Sequence, residues 1–173
     1  MKKLLSSIAV IFLFFTYQAL SEERIAFIDM DKVISKSKSG SSILKQLTDL
    51  NDKNSKFLKN EEKKLKEKET KLISQKNIIS ETDYKNKVNE LKSVIKSYNQ
   101  NRNKMLADFN KIKIDNTNKL LKLINLILVK FSNDKEIAII LQKKYLVVAK
   151  TQLDITDEVI KIINLEVKEF KIK

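Results

Sequence analysis

Residues 84–127 read YKNKVNELKSVIKSYNQNRNKMLADFNKIKIDNTNKLLKLINLI, and their spacing decides the fold. Tyr84, Val88, Leu91, Ile95, Tyr98, Met105, Phe109 and Ile112 fall on one heptad seam, and Leu120, Leu123 and Ile127 carry the stripe on after a one-residue slip. Only a helix has that period. The seam is narrow, the other positions are polar and no Gly or Pro interrupts it. Such a helix cannot settle into a broad core and needs a second helix along its length. Arg102 and Asn116 stand on the seam, where a polar residue costs stability but can fix register; a merely wet seam explains them equally well.

The partner helix precedes it. Ile43, Leu47, Leu50 and Phe57 form a weaker stripe that shifts by one to Leu58, Leu65, Leu72 and Ile79. Lys59 to Lys71 is almost wholly charged with alternating signs, the pattern of a solvated helix laced with intrahelical ion pairs. Ser80, Glu81, Thr82 and Asp83 resemble a cap followed by an acidic first turn, so the chain reverses there. Two helices of roughly 40 to 50 residues would make an antiparallel hairpin ~60 Å long.

The flanks have another character. Arg24 to Asp29 is short, apolar and rich in β-branched and aromatic residues, which predicts a buried strand. A helical turn over Met30 to Ile34 and a loop over Ser35 to Ser42 follow, the loop holding Gly40, the only glycine, with Ser41 or Ser42 as the next N-cap. Beyond Phe131, Glu136 to Leu141 and Tyr145 to Ala149 read as two strands of a β-hairpin turning at Gln142, Lys143 and Lys144. Thr156 then caps a terminal helix, Asp157 to Phe170, whose buried face is Val159, Ile160, Ile163, Val167 and Phe170. The predicted class is α+β: a β body from 22–40 and 133–173, discontinuous in sequence, and a helical arm over 41–132. About 60 residues make a small core, which oligomerisation would remedy by completing sheet edges.

The 173 residues are 42% hydrophobic and 33% charged, with one Gly and no Pro, a helix-rich composition. There is no Cys and no His, which excludes disulfides, thiol nucleophiles, zinc sites and histidine bases. A carboxylate-only active site stays formally possible, but nothing points to one; no catalytic residue, cofactor or metal is expected. The net charge is +13, carried almost wholly by lysine, and residues 41–130 hold 21 basic against 11 acidic residues. A negatively charged partner would meet the long helices first. Lys71, Lys76, Lys85 and Lys87, near the expected turn, are the candidate contacts.

Met1 to Ser21 reads as a secretory signal cleaved after Ser21: Lys2 and Lys3, an apolar run from Ile8 to Phe15, then Ala19 and Ser21 as small residues before the cut. The run is shorter than the ~20 residues that span a bilayer. Export to a bacterial periplasm is compatible with the lack of cysteine.

Taken together, the exported N-terminus, Arg-Ile-Ala-Phe-Ile-Asp-Met-Asp-Lys-Val (Arg24 to Val33), the charged hairpin and Leu146 to Ile160 with its Asp-Ile-Thr step resemble the Skp/OmpH family of periplasmic chaperones. The resemblance covers the whole mature chain. It implies a homotrimer whose bodies form a joint β-barrel and whose arms enclose an unfolded outer-membrane protein without ATP. It also implies contact with anionic lipid or lipopolysaccharide, although the basic cluster of some members cannot be placed here residue by residue. Ala149 stands where members often carry tyrosine, and the arms hold Lys rather than Arg. A structural or adaptor coiled coil of the cell envelope is the alternative. Nucleic-acid binding, suggested by a pI near 9.7, is disfavoured by export.

Overall fold

Strand β1 (Arg24–Ile28) buries Ala26, Phe27 and Ile28 and passes directly into helix α1 (Met30–Lys36). The switch is made by Asp29, whose carboxylate accepts the Lys32 N–H at 2.9 Å. The structure, a computed structural model, describes residues 24–173; the secretory signal expected over Met1 to Ser21 and the expected cleavage after Ser21 lie outside the described residues.

No loop follows α1. Ser37 ends α1, its N–H reaching Val33 O at 3.0 Å, and starts α2 (Lys38–Ser74), its Oγ accepting the Gly40 N–H at 3.2 Å. The cap is therefore Ser37 and not Ser41 or Ser42. Gly40 is needed for close approach, because a Cβ there would overlap the Ile34 carbonyl. A serine-lysine repeat around a lone glycine looks like a loop until it is seen that one serine can serve two helix ends.

Residues 75–80 turn the chain at the far end, and Ser80 caps α3 (Glu81–Asp134), its Oγ accepting the Asp83 N–H at 3.1 Å as the sequence suggested. The two helices have 37 and 54 residues. Ile43 and Leu47 of α2 share a core with Leu120, Ile124 and Ile127 of α3, while Leu72, which is buried, and Leu91 line one groove beside the turn. Between Leu47 and Leu72 no residue of α2 is buried, and the least exposed positions there include Asn54 and Glu61. Phe57 leaves the seam for solvent. The two polar residues on the α3 seam part ways: Arg102 is exposed, Asn116 buried.

After α3 the chain takes a left-handed conformation at Glu136 (φ 54°), a position where glycine is usual, and enters β2 (Ile137–Gln142). β2 lies parallel to β1, with Ile25 opposite Ile139 and Phe27 opposite Leu141. The expected hairpin from β2 into Tyr145–Ala149 does not form. Two 3-10 turns, Lys143–Tyr145 and Thr151–Leu153, bring the chain back to β1, where Asp154 bridges Phe27. A hairpin would have left the chain on the outer edge of β2, away from that bridge.

The Asp-Ile-Thr step then sews both ends of the chain together. Ile155 N–H reaches Phe27 O at 3.0 Å, Thr156 Oγ1 accepts the Asp29 N–H at 2.9 Å, and Asp154 Oδ1 accepts the Thr156 N–H at 2.9 Å. Thr156 thus opens α4 (Thr156–Glu166), but its hydroxyl serves β1 and not its own helix end. Partial burial pushes the Asp154 carboxyl up; the hydrogen bonds from Thr156, with Lys143 and Lys32 nearby, outweigh it and hold the group below its ordinary range. Val159 and Ile163 of α4 are buried in the core. The helix ends at Glu166, short of the expected Phe170. Phe170 still rests on the core, but from a non-helical tail whose backbone is taken up by Gln46 and Asn116.

Candidate functional site

The charged stretch of α2 from Lys59 to Lys71 is largely exposed and carries the intrahelical ion pairs Lys63–Glu67 and Lys64–Glu61, and a groove lies beside the turn at 75–80. Lys68, Lys71, Leu72 and Gln75 from the end of α2 face Lys87, Glu90, Leu91 and Val94 from the start of α3 across a groove of about 250 Å³. Lys87 Nζ donates to Gln75 Oε1 at 3.0 Å and ties the turn to α3. Ser80 Oγ–H also reaches Asp83 Oδ2 at 2.6 Å, which closes the cap on itself.

All four lysines singled out from the sequence are exposed. The structure brings Lys71 and Lys87 to opposite walls of this groove. Lys76 sits in the turn and Lys85 on the first turns of α3, and neither lines the groove. Sequence reasoning missed the apolar half of the surface: Ile73 is 62% exposed and Ile78 is 78% exposed. Ile73 follows a seam leucine, and an apolar residue one step off a heptad seam must face water; that was the available signal. Elsewhere on α2 and α3, Phe57, Leu106 and Ile114 are exposed as well. α2 and α3 therefore offer scattered apolar side chains set among lysines, whose own alkyl stems add apolar surface.

At the other end the sheet has one face on the core, through Ala26, Ile28 and Ile140, and one face open. Ile25, Ile139 and Leu141 are exposed on that open face, and Tyr145, Val147 and Val148 are exposed in the segment that follows. Val147 is 99% exposed.

Three comparisons with known proteins bear on this arrangement. The family model described as outer membrane protein (OmpH-like) matches residues 24–163. No curated protein sequence matches the chain. Among solved structures, a candidate outer membrane chaperone (OmpH-like) from Caulobacter crescentus CB15 is similar with a TM-score of 0.79 at 12% identity, over 87% of this chain and 89% of that one. That likeness is one of fold.

Proposed function

This chain belongs to the OmpH-like outer membrane protein family, and we propose that it acts as an ATP-independent periplasmic holdase for unfolded outer-membrane β-barrel proteins. The observation that carries this reading is the outer arm, where exposed isoleucines lie beside lysines at the tip and no residue of α2 is buried between Leu47 and Leu72. An unfolded barrel protein exposes alternating apolar residues that cannot be satisfied before it meets a bilayer. Weak contacts spread along such an arm block aggregation without imposing a fold. Lys71, Lys76, Lys85 and Lys87 supply the long-range attraction for acidic clients, and the same charges would meet anionic lipid or lipopolysaccharide.

In this reading α2 and α3 form an antiparallel hairpin arm over 41–132, and 22–40 with 133–173 form a body that assembles into a homotrimer. The open sheet face supports assembly: Ile25, Ile139 and Leu141 carry apolar area that a second copy would cover, and among the described residues no strand pairs with the outer edge of β2. Three such sheets joined edge to edge give the barrel core.

The test is dilution of a urea-unfolded β-barrel protein into buffer with the purified mature chain and no nucleotide, followed by light scattering. Suppressed scattering at a few-fold molar excess is expected. Undiminished aggregation would leave a structural coiled coil bridging envelope components as the better reading.

A further inference from the structure

The family match stops at residue 163, and the chain beyond it has a docking place of its own. After α4 the tail turns away from helical geometry at Val167 and runs to the feet of α2 and α3. Gln46 of α2 holds its backbone at two points, Nε2 donating to the Phe170 carbonyl at 3.1 Å and Oε1 accepting the Ile172 N–H at 3.2 Å. Asn116 of α3, the buried amide on the seam, donates to Ile112 O at 2.6 Å and to Lys173 O at 3.4 Å. Lys119 Nζ lies 4.2 Å from the centre of the Phe170 ring. Phe170 and Ile172 rest against the core while Lys171 and Lys173 face water.

Two features distinguish this from ordinary end-fastening. Gln46 engages a carbonyl and an N–H two residues apart on the same segment, as a neighbouring β-strand would, so it reads backbone and tolerates any side chain between them. The segment it holds alternates apolar with charged residues at period two, which is the pattern of a strand from an outer-membrane barrel. We propose that the cleft between the feet of α2 and α3 is a binding site for extended, alternately apolar peptide segments bearing an aromatic residue, and that Val167–Lys173 is its resident occupant. A client segment of this pattern displaces the tail and takes its contacts with Gln46, Asn116 and Lys119. The inference rests on the client-binding reading above and adds to it a defined site at the base of the arm.

The absence of cysteine from the chain makes the test direct. A nitroxide on Lys173→Cys of the otherwise intact protein should report an immobilised tail, and a synthetic peptide with the sequence of residues 164–173 should mobilise it saturably. The same peptide with serine at the positions of Phe170 and Ile172 should not. Fluorescent wild-type peptide should bind Phe170→Ala about tenfold more tightly than the unaltered protein, because loosening the tail raises the fraction of open sites. It should bind Gln46→Ala more weakly than wild type, with helical circular dichroism unchanged in both variants. A label already mobile without peptide, a label still immobile at millimolar peptide, equal action of the serine peptide, or no gain in Phe170→Ala would each overturn the proposal. The peptide assay uses no folding client, so its failure leaves aggregation suppression untouched. Peptide exchange without aggregation suppression would keep the cleft and remove the holdase reading.

Discussion

Asp29 and Thr156 stand 127 residues apart and share one hydrogen bond, the Asp29 N–H donating to Thr156 Oγ1 at 2.9 Å. The hydroxyl is buried and ties β1 to α4, so the two ends of the described chain close on each other around it. Thr156→Val keeps the shape and removes the acceptor, which leaves a part-buried N–H unpaired and should cost about 1 kcal/mol or more. Thr156→Ser keeps the oxygen and should lose less. Urea midpoints of the two variants decide it: equal midpoints would show the bond to be incidental.

Asp154 sets the acid limit of the same stitch. Its folded carboxyl lies below the ordinary range, because the Thr156 hydrogen bonds and nearby lysines outweigh the opposing effect of burial. A depressed folded pKa means stability that is complete above the unfolded value, about 4, and is lost as pH falls through the folded value. Asp154→Asn should therefore destabilise at pH 7 and flatten the fall in thermal midpoint as pH drops below about 4. A variant whose acid limb parallels wild type would assign the loss to other carboxylates.

What the sequence disclosed follows from periodicity. The heptads of Tyr84–Ile112 and Ile43–Leu72 announced two long helices, and Ser80 with Asp83 announced where the second begins, because helix period and capping chemistry are local. The missing hairpin at Tyr145–Ala149 and the end of α4 were not legible for the opposite reason. Each depends on a partner far along the chain, Asp154 bridging Phe27 and Gln46 holding Phe170. Ser37 was missed although its bonds to Val33 O and the Gly40 N–H are local, because Ser35, Ser37, Ser39, Ser41 and Ser42 all have the chemistry of a cap. The tail did carry a signal, since Val-Lys-Glu-Phe-Lys-Ile-Lys alternates at its end where a helix would not. Of the candidate site, charge gave the lysines, and the exposure of Ile73 and Ile78 was foreshadowed only by their places one step off the Leu72 and Ile79 seam positions.

Assembly can be separated from folding at one position. Ile139 is 46% exposed in the single chain and lies on the open sheet face, whereas Phe27 is buried. A charge at Phe27 would unfold the protomer and say nothing about association. Ile139→Asp should leave the helical signal intact and shift the mass in solution from trimer to monomer under the proposed reading. Removing the outer arm, residues 63–101, should leave the trimer assembled. Light scattering coupled to size separation reads both, and monomers from the arm deletion would place the oligomer contact in the helices.

The tip allows charge and apolar contact to be told apart by kinetics. Lys71, Lys76, Lys85 and Lys87 act over about a Debye length, ~8 Å at physiological salt, so they govern how often an acidic client arrives. Ile73 and Ile78 touch only what has already arrived, and removing apolar contact area acts on how long it stays. Changing the four lysines together to Glu should slow capture of an unfolded barrel protein by at least about tenfold at low salt, with release nearly unchanged. Raising salt from about 50 to 500 mM should slow the wild type in the same sense and erase most of the difference. Changing any one lysine should matter little, since Lys76 and Lys85 do not share the groove that Lys71 and Lys87 line. Ile73→Ser with Ile78→Ser should do the reverse, leaving capture intact and speeding release several-fold. Stopped-flow capture and chase measurements on the same labelled client give both rates. If the lysine variant accelerates release while leaving capture alone, those charges hold the client in direct contact and long-range attraction is not their role.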